Sequence, residues 1–266
     1  MAGFPRSGST LLTSIINQNP RIYATHKTHL QPSIKSFVQE NPNHESVKSG
    51  YLDNIYPQVV HEMAQGFYKH IDNPIVIDKN RDWATPYSVL LAKMISENTK
   101  IIFQTRPILE ILASFVTLAS NNKGNYIDQN MKNEDFWSYY YRPIDDARCD
   151  WLMKPRGQID VAMFGYELSQ REEYKDMFHL IDYKDLCSNP QEELNKMYEF
   201  LGEEKFTHKF EKIENKEPLN DGFVFGVPSL HWVREEIKII SPKPEDVLSD
   251  YVIEKYKNSV TSLEKK

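Results

Sequence analysis

The sequence predicts an α/β fold, a single domain with a central parallel sheet flanked by helices, and three observations predict it. Short apolar runs of strand length, 74–78, 100–105 and 178–182, alternate with stretches whose apolar residues recur at helical spacing. Chemistry-bearing residues follow directly after those runs, at the edge of a parallel sheet where ligands sit. The chain also begins with Gly3-Phe4-Pro5-Arg6-Ser7-Gly8-Ser9-Thr10, running into Leu11-Leu12-Thr13-Ser14-Ile15-Ile16. This is the outline of a phosphate-cradling loop feeding a helix. Unpaired backbone N–H groups and the positive end of the helix dipole face an anion there. A P-loop nucleotide-binding type of α/β domain, spanning residues 1–266, is the resulting expectation.

The elements are expected in the following order. Residues 1–4 supply only the last few positions of a first strand, so either that strand is unusually short or the natural start lies upstream. A helix over 10–18 buries Leu11, Leu12, Ile15 and Ile16, and Asn19-Pro20 closes it, because the residue before proline is driven out of the α region. An extended piece follows over 21–25. Residues 41–50 read as an exposed loop and 51–71 as helical.

After the strand at 74–78 comes a helix over 86–97. After the strand at 100–105, Arg106-Pro107 opens a helix reaching about Ala119. The Asn-rich stretch 120–131 reads as loop, and 134–172 as helix in two pieces broken near Pro155–Gly157. Asn189-Pro190 starts a helix that Gly202 ends. Residues 217–244, rich in Pro, Gly and aromatics, read as ordered loop with a short strand, and 245–263 as a final amphipathic helix. The aromatic-dense region around Phe136, Trp137, Tyr139, Tyr140, Tyr141 and Trp151 reads first as core packing, and second as a stacking platform for an acceptor.

Bulk composition narrows the function classes. A net charge of -6 leaves no global basic field for nucleic acid or an anionic membrane, so any anion site must be local. No stretch reaches the ~18 apolar residues of a spanning helix, and no signal peptide is legible, so a cytoplasmic location is expected. The two cysteines, Cys149 and Cys187, form neither a disulfide framework nor a zinc spacing and read as small buried or half-buried thiols.

The first loop also departs from a nucleoside-triphosphate P-loop. There a lysine follows the second glycine and reaches the β- and γ-phosphates; here that position is Ser9, and the loop's cation is Arg6. The cradle is present without the triphosphate lysine, which points to an anionic nucleotide other than Mg-ATP.

Three further segments carry the same theme. Asp78-Lys79 follows a strand. Arg106-Pro107 follows another, with Ser114 eight residues on. Asp182-Tyr183-Lys184-Asp185-Leu186 precedes Asn189-Pro190 and Phe200-Leu201-Gly202. With Pro5-Arg6-Ser7-Gly8-Ser9-Thr10-Leu11-Leu12, these resemble the sulfotransferases that use 3′-phosphoadenosine 5′-phosphosulfate (PAPS). The resemblance is closest to the branch whose loop reads Pro-Arg-Ser-Gly-Thr-Thr-Leu-Leu, which includes tyrosylprotein and carbohydrate enzymes. It runs from residue 3 to about 202.

The resemblance implies a donor site. Arg6, Ser7, Gly8, Ser9 and Thr10 would hold the 5′-phosphosulfate, and Arg106 with Ser114 the 3′-phosphate. Tyr183 would lie near the nucleotide, and Arg234 on a late loop closing over the 3′-phosphate. Lys79, with Arg6 beside it, would donate to the leaving or bridging oxygen, and the family needs no metal. The reaction implied is transfer of a sulfuryl group to an acceptor hydroxyl or amine by in-line displacement with a general base, leaving 3′-phosphoadenosine 5′-phosphate (PAP). The acceptor would be a small molecule, a carbohydrate or a peptide, and not a nucleic acid.

The base is where the resemblance breaks. The tyrosylprotein branch has a Glu just after the strand that follows the first helix, and spacing puts Lys27 there. A charged lysine is a poor base, so His29 and then His26 are the candidates, ahead of Asp78 and His231. Two rivals stay open: a non-catalytic nucleotide-binding relative, and a P-loop phosphotransferase of kinase type.

Overall fold

The computed structural model describes residues 1–40, 45–49, 55–215, 220–228 and 230–259. Its strands are β1 (Ala2–Gly3), β2 (Ile22–Ala24), β3 (Ile75–Ile77), β4 (Ile101–Thr105) and β5 (Phe178–Asp182). All pairings are parallel. One piece of sheet runs β1-β4-β5, with Ala2 opposite Phe103 and Phe103 opposite Leu180; the other pairs β2 with β3, Ile22 opposite Ile75. Met1 joins the two pieces. Its amine donates to the Asp78 carbonyl at 2.6 Å, and its carbonyl accepts from Asn80 N at 3.1 Å. The end of β3 therefore lies beside β1.

Both faces of this sheet are covered, as a parallel sheet requires. Ile101 and Phe103 of β4 point into the larger core, against Ile108, Ile111, Leu112 and Phe115 of the helix Ile108–Asn121. Ile102 points the other way, into a smaller core with Leu12, Ile15 and Ile16 of the helix Ser9–Ile16 and Leu194, Met197 and Tyr198 of the helix Pro190–Leu201. Side-chain alternation along one strand thus builds both layers. Gly3 is obligatory where β1 crosses β4: its φ is 142°, and a Cβ there would sit 2.5 Å from the Gln104 carbonyl oxygen.

Several expectations need correction. The Asn-rich stretch is not all loop: the helix Tyr126–Glu134 begins inside it, because Asn125 is its N-cap, accepting from Asp128 N at 3.0 Å. Asparagine there starts a helix rather than breaking one. The expected two helical pieces over 134–172 are three helices, Phe136–Tyr141, Ile144–Leu152 and Gln158–Ser169. A helix Leu30–Glu40, which sequence reasoning left unassigned, packs Leu30 and Ile34 into the larger core.

Among the described residues of 217–244 there is a short helix, Asp221–Phe225, and no strand. The single final helix is two, Pro244–Val247 and Asp250–Tyr256, with its expected end beyond residue 259 outside the described residues. Of the expected loop 41–50, Glu45–Lys48 is a helix; 41–44 and 50, with 51–54 of the expected helix, lie outside the described residues. Phe136, Trp137, Tyr140 and Tyr141 are exposed, so the core reading of that cluster does not hold for them. Cys149 is buried and Cys187 half-buried.

Candidate functional site

At the carboxyl ends of the strands the chain leaves a cleft of about 840 Å³. Each strand end contributes to its wall: Phe4, Pro5, Arg6 and Gly8 after β1, His26 and Lys27 after β2, Lys79 after β3, Arg106 after β4 and Tyr183 after β5. The convergence follows from parallel topology, since all these strands point the same way.

The first loop owes its shape to two left-handed residues. Arg6 has φ 61° and Gly8 φ 81°, ψ 20°, so the backbone curls before the helix Ser9–Ile16 begins. Leu12 N is the first of that helix to close back on the loop, to the Gly8 carbonyl at 2.9 Å. Ser7 faces inward instead, its hydroxyl donating to the Phe4 carbonyl at 2.7 Å. Ser9 and Thr10 line the cleft. A Cβ at Gly8 would come within 2.9 Å of the Tyr183 ring, so glycine also lets the loop settle against that tyrosine.

Arg106 is buried and ties the two halves of the cleft together. Its Nη1 donates to the Arg6 carbonyl at 2.6 Å, its Nε to Glu110 Oε2 at 3.3 Å, and its Nη2 to the Ser241 hydroxyl, while the guanidinium sits 4.5 Å over the Tyr183 ring. Burial pushes the Glu110 carboxyl up, but hydrogen bonds from Lys184 and Ser241 and the charges of Lys184 and Arg106 outweigh it and hold it below the usual carboxylate range. Arg6 Nε donates to Ser114 Oγ at 3.2 Å, and its Nη1 to the Leu230 carbonyl at 3.0 Å. Arg6 therefore extends toward Ser114 and the Arg106 end of the cleft.

Lys79 lies beside the start of the helix Ser9–Ile16. Its Nζ donates to Thr10 Oγ1 at 3.3 Å, and its backbone N to Thr25 Oγ1 at 2.8 Å. Burial, then the charges of Arg81 and Lys27, bring its amine down to about 7, against the opposing pull of Asp221.

The histidines separate clearly. His29 is exposed, its ring edge-on to Phe67 at 5.0 Å, and it is not on the cleft wall. His26 is buried on the wall, with Nδ1 2.9 Å from Thr13 Oγ1. Asp78 is committed to structure, accepting from Thr28 Oγ1 at 2.7 Å, Trp83 Nε1 at 2.6 Å and Tyr68 OH. His231 faces the cleft. Its Nδ1 lies 2.7 Å from Oδ1 of the buried Asp221, whose Oδ2 accepts from His231 N at 2.7 Å. Burial lowers its pKa, only partly offset by Asp221. With Nδ1–H donating to the carboxylate, Nε2 is the nitrogen left to accept a proton. Arg234, three residues on, is exposed at the mouth.

Sequence reasoning ranked His231 below His26 and His29 and missed Asp221 and Arg81. A His with an acid ten residues upstream carries no periodic signal; only the short helix Asp221–Phe225 turns the carboxylate back onto the ring. Among the described residues, no three or more His, Cys, Asp or Glu are grouped to hold a metal ion, and no helix is long and apolar enough to cross a membrane.

Known proteins give this geometry a context. No curated protein matches the sequence. Among solved structures the chain is similar to the sulfotransferase domain from the curacin biosynthetic pathway, at 15% identity over 96% of this chain and 95% of that one, with a TM-score of 0.52. That likeness speaks to fold alone. The sulfotransferase domain from the Synechococcus PCC 7002 olefin synthase matches at 14% identity over 97% and 95%, with a TM-score of 0.47, and carries no weight here. The model of the sulfotransferase family matches residues 1–208. Matched over 208 of its 266 residues, the chain belongs to the sulfotransferase family.

Proposed function

We propose that the protein transfers a sulfuryl group from PAPS to an acceptor hydroxyl, with His231 as general base. The observation that carries this reading is the joining of both anion-binding ends in one cleft. Arg106 bonds the carbonyl of Arg6, and Arg6 bonds Ser114, while Lys79 and the His231–Asp221 pair face the same space. The donor set suits a doubly phosphorylated nucleotide. Two guanidiniums and a serine hydroxyl are bonded together, and an ammonium stands beside the N–H groups of a helix start. A cleft of about 840 Å³ is large enough for it.

PAPS, when bound, supplies a sulfuryl group on a phosphate leaving group. Arg106, Ser114 and Arg6 would hold the 3′-phosphate, with Tyr183 packed beside them and Arg234 at the mouth. Backbone N–H groups of Gly8, Ser9 and Thr10 would hold the 5′-phosphate, and the Ser7 hydroxyl braces the loop. His231 Nε2 takes the acceptor proton as the acceptor oxygen–sulfur bond forms and the sulfur–oxygen bond to phosphate breaks. Asp221 holds the ring and stabilises the imidazolium. The electron pair stays on the phosphate oxygen, where protonated Lys79 donates.

The test is nucleotide preference followed by turnover. PAP is expected to raise the melting temperature, and Mg-ATP at equal concentration is not; the opposite order would favour a phosphotransferase. Labelled PAPS with a panel of phenols, sugars and peptides is then expected to yield a sulfated product. Tight PAP binding with no transfer to any acceptor would favour the non-catalytic alternative.

Lys79 gives a pH signature. An anion beside it raises its pKa, so the complex takes up a proton. PAP affinity is therefore expected to fall between about pH 7 and pH 9, by at most roughly tenfold per unit. Calorimetric titration across that range checks it, and Lys79→Met is expected to flatten the dependence. A slope unchanged in Lys79→Met would assign the proton elsewhere.

A further inference from the structure

We infer that Arg81 is an additional residue of the donor site, holding the sulfuryl end of the donor together with Lys79. This rests on the PAPS reading above. Arg81 opens the 3-10 turn Arg81–Ala84, two residues after Lys79, and lines the cleft. The turn is fixed in place. Asn80 caps it by accepting from Asp82 N at 3.0 Å, and Trp83 anchors it through its bond to Asp78.

The guanidinium itself is oriented by a relay across the cleft wall. Arg81 Nη1 donates to Gln158 Oε1 at 3.0 Å, and Gln158 Nε2 donates to Tyr126 OH at 2.9 Å. That contact uses one N–H and leaves the rest of the planar fork. Among the described residues no carboxylate forms an ion pair with Arg81, in contrast to Arg106 with Glu110 and Arg148 with Asp128. Arg81 is half-buried, and burial lowers its pKa, only partly offset by Tyr126 and Asp82. A bound anion would offset the remaining cost.

The neighbours identify which anion. The charged and titratable groups acting on Lys79 are Arg81, Lys27 and Asp221, and Lys79 in turn acts on the Met1 amine and His231. Arg81 and Lys79 repel each other, and a compact anion with several oxygens beside both relieves that repulsion. Lys79 bonds Thr10 at the start of the helix Ser9–Ile16, where the proposed reading puts the 5′-phosphosulfate, whereas Arg6, Arg106 and Ser114 are bonded to one another. The group left for Arg81 and Lys79 is the sulfuryl, adjacent to where His231 would deprotonate the acceptor.

The experiment compares PAPS with PAP, which lacks the sulfuryl, by calorimetry without acceptor. In Arg81→Gln the preference for PAPS over PAP is expected to fall by about tenfold or more, with PAP binding nearly unchanged. Turnover is expected to fall on the order of 100-fold. Removing the like charge also lets the Lys79 pKa rise, so the loss of turnover with rising pH moves to higher pH, a shift that a purely structural role would not produce.

Equal loss of PAP and PAPS affinity, or unchanged PAPS affinity with only a raised acceptor KM, would overturn the assignment. If Arg81→Gln does not fold, Arg81→Lys keeps the charge without the fork, and an unchanged PAPS-to-PAP ratio there overturns it equally. Failure of the unaltered protein to bind either nucleotide would instead reject the PAPS reading.

Discussion

His231→Ala is expected to lower turnover by about 10²–10⁴-fold while leaving the PAP dissociation constant within about twofold. The two readouts separate because His231 lies on the cleft wall but outside the donor set of Arg6, Ser114, Arg106 and Lys79. Its ring is held by Asp221 at 2.7 Å through Nδ1, and the same carboxylate also accepts from the His231 backbone N. Both contacts fix one tautomer and one orientation, as a base needs before substrate arrives.

Asp221→Asn is therefore expected to lower turnover as well, by removing charge stabilisation of the imidazolium rather than the base itself. His29→Ala is expected to leave turnover near its starting value, because that ring packs on Phe67 away from the cleft. His26→Ala is the sharper control. Its Nδ1 is engaged by Thr13, so loss of turnover there equal to that in His231→Ala, with folding intact, would transfer the base role to His26.

Arg106→Ala is expected to weaken PAP binding on the order of 100-fold or more, since a forked, charge-assisted donor to phosphate is lost. It is also expected to cost about 2–4 kcal/mol of folding stability, because Glu110 then keeps only Lys184 and Ser241 as partners in a buried position. The two losses can be distinguished. Glu110→Gln weakens the same buried cluster while retaining the guanidinium, so it is expected to lower the melting temperature with a much smaller effect on PAP. PAP affinity unchanged in a folded Arg106→Ala protein would remove Arg106 from the phosphate site.

Much of this architecture was legible from residues alone, for definable reasons. The short, mainly apolar runs at 74–78, 100–105 and 178–182 are of strand length, and the structure has β3, β4 and β5 there, β4 buried throughout and the other two in part. The loop at Arg6, Lys79 after β3, Arg106 after β4 and Tyr183 after β5 follow strand ends, so parallel topology brings them to one edge. The tail resisted reading because its geometry depends on contacts far away in sequence. Leu230 is held by Arg6 and Ser241 by Arg106, across more than a hundred positions each. Arg81 was missed for a different reason: a lone arginine in a turn announces nothing until the Gln158–Tyr126 relay aims it.

The segment carrying His231 lies beyond the family match, which ends at residue 208, and it is fastened across the opening by the guanidiniums of Arg6 and Arg106. Those N–H groups are the ones a phosphate would claim. If the nucleotide takes them, it must loosen or reset the strap that bears the base, so loading one substrate changes how the seat for the other is assembled. In the proposed reading, the nucleotide would then bind before the acceptor.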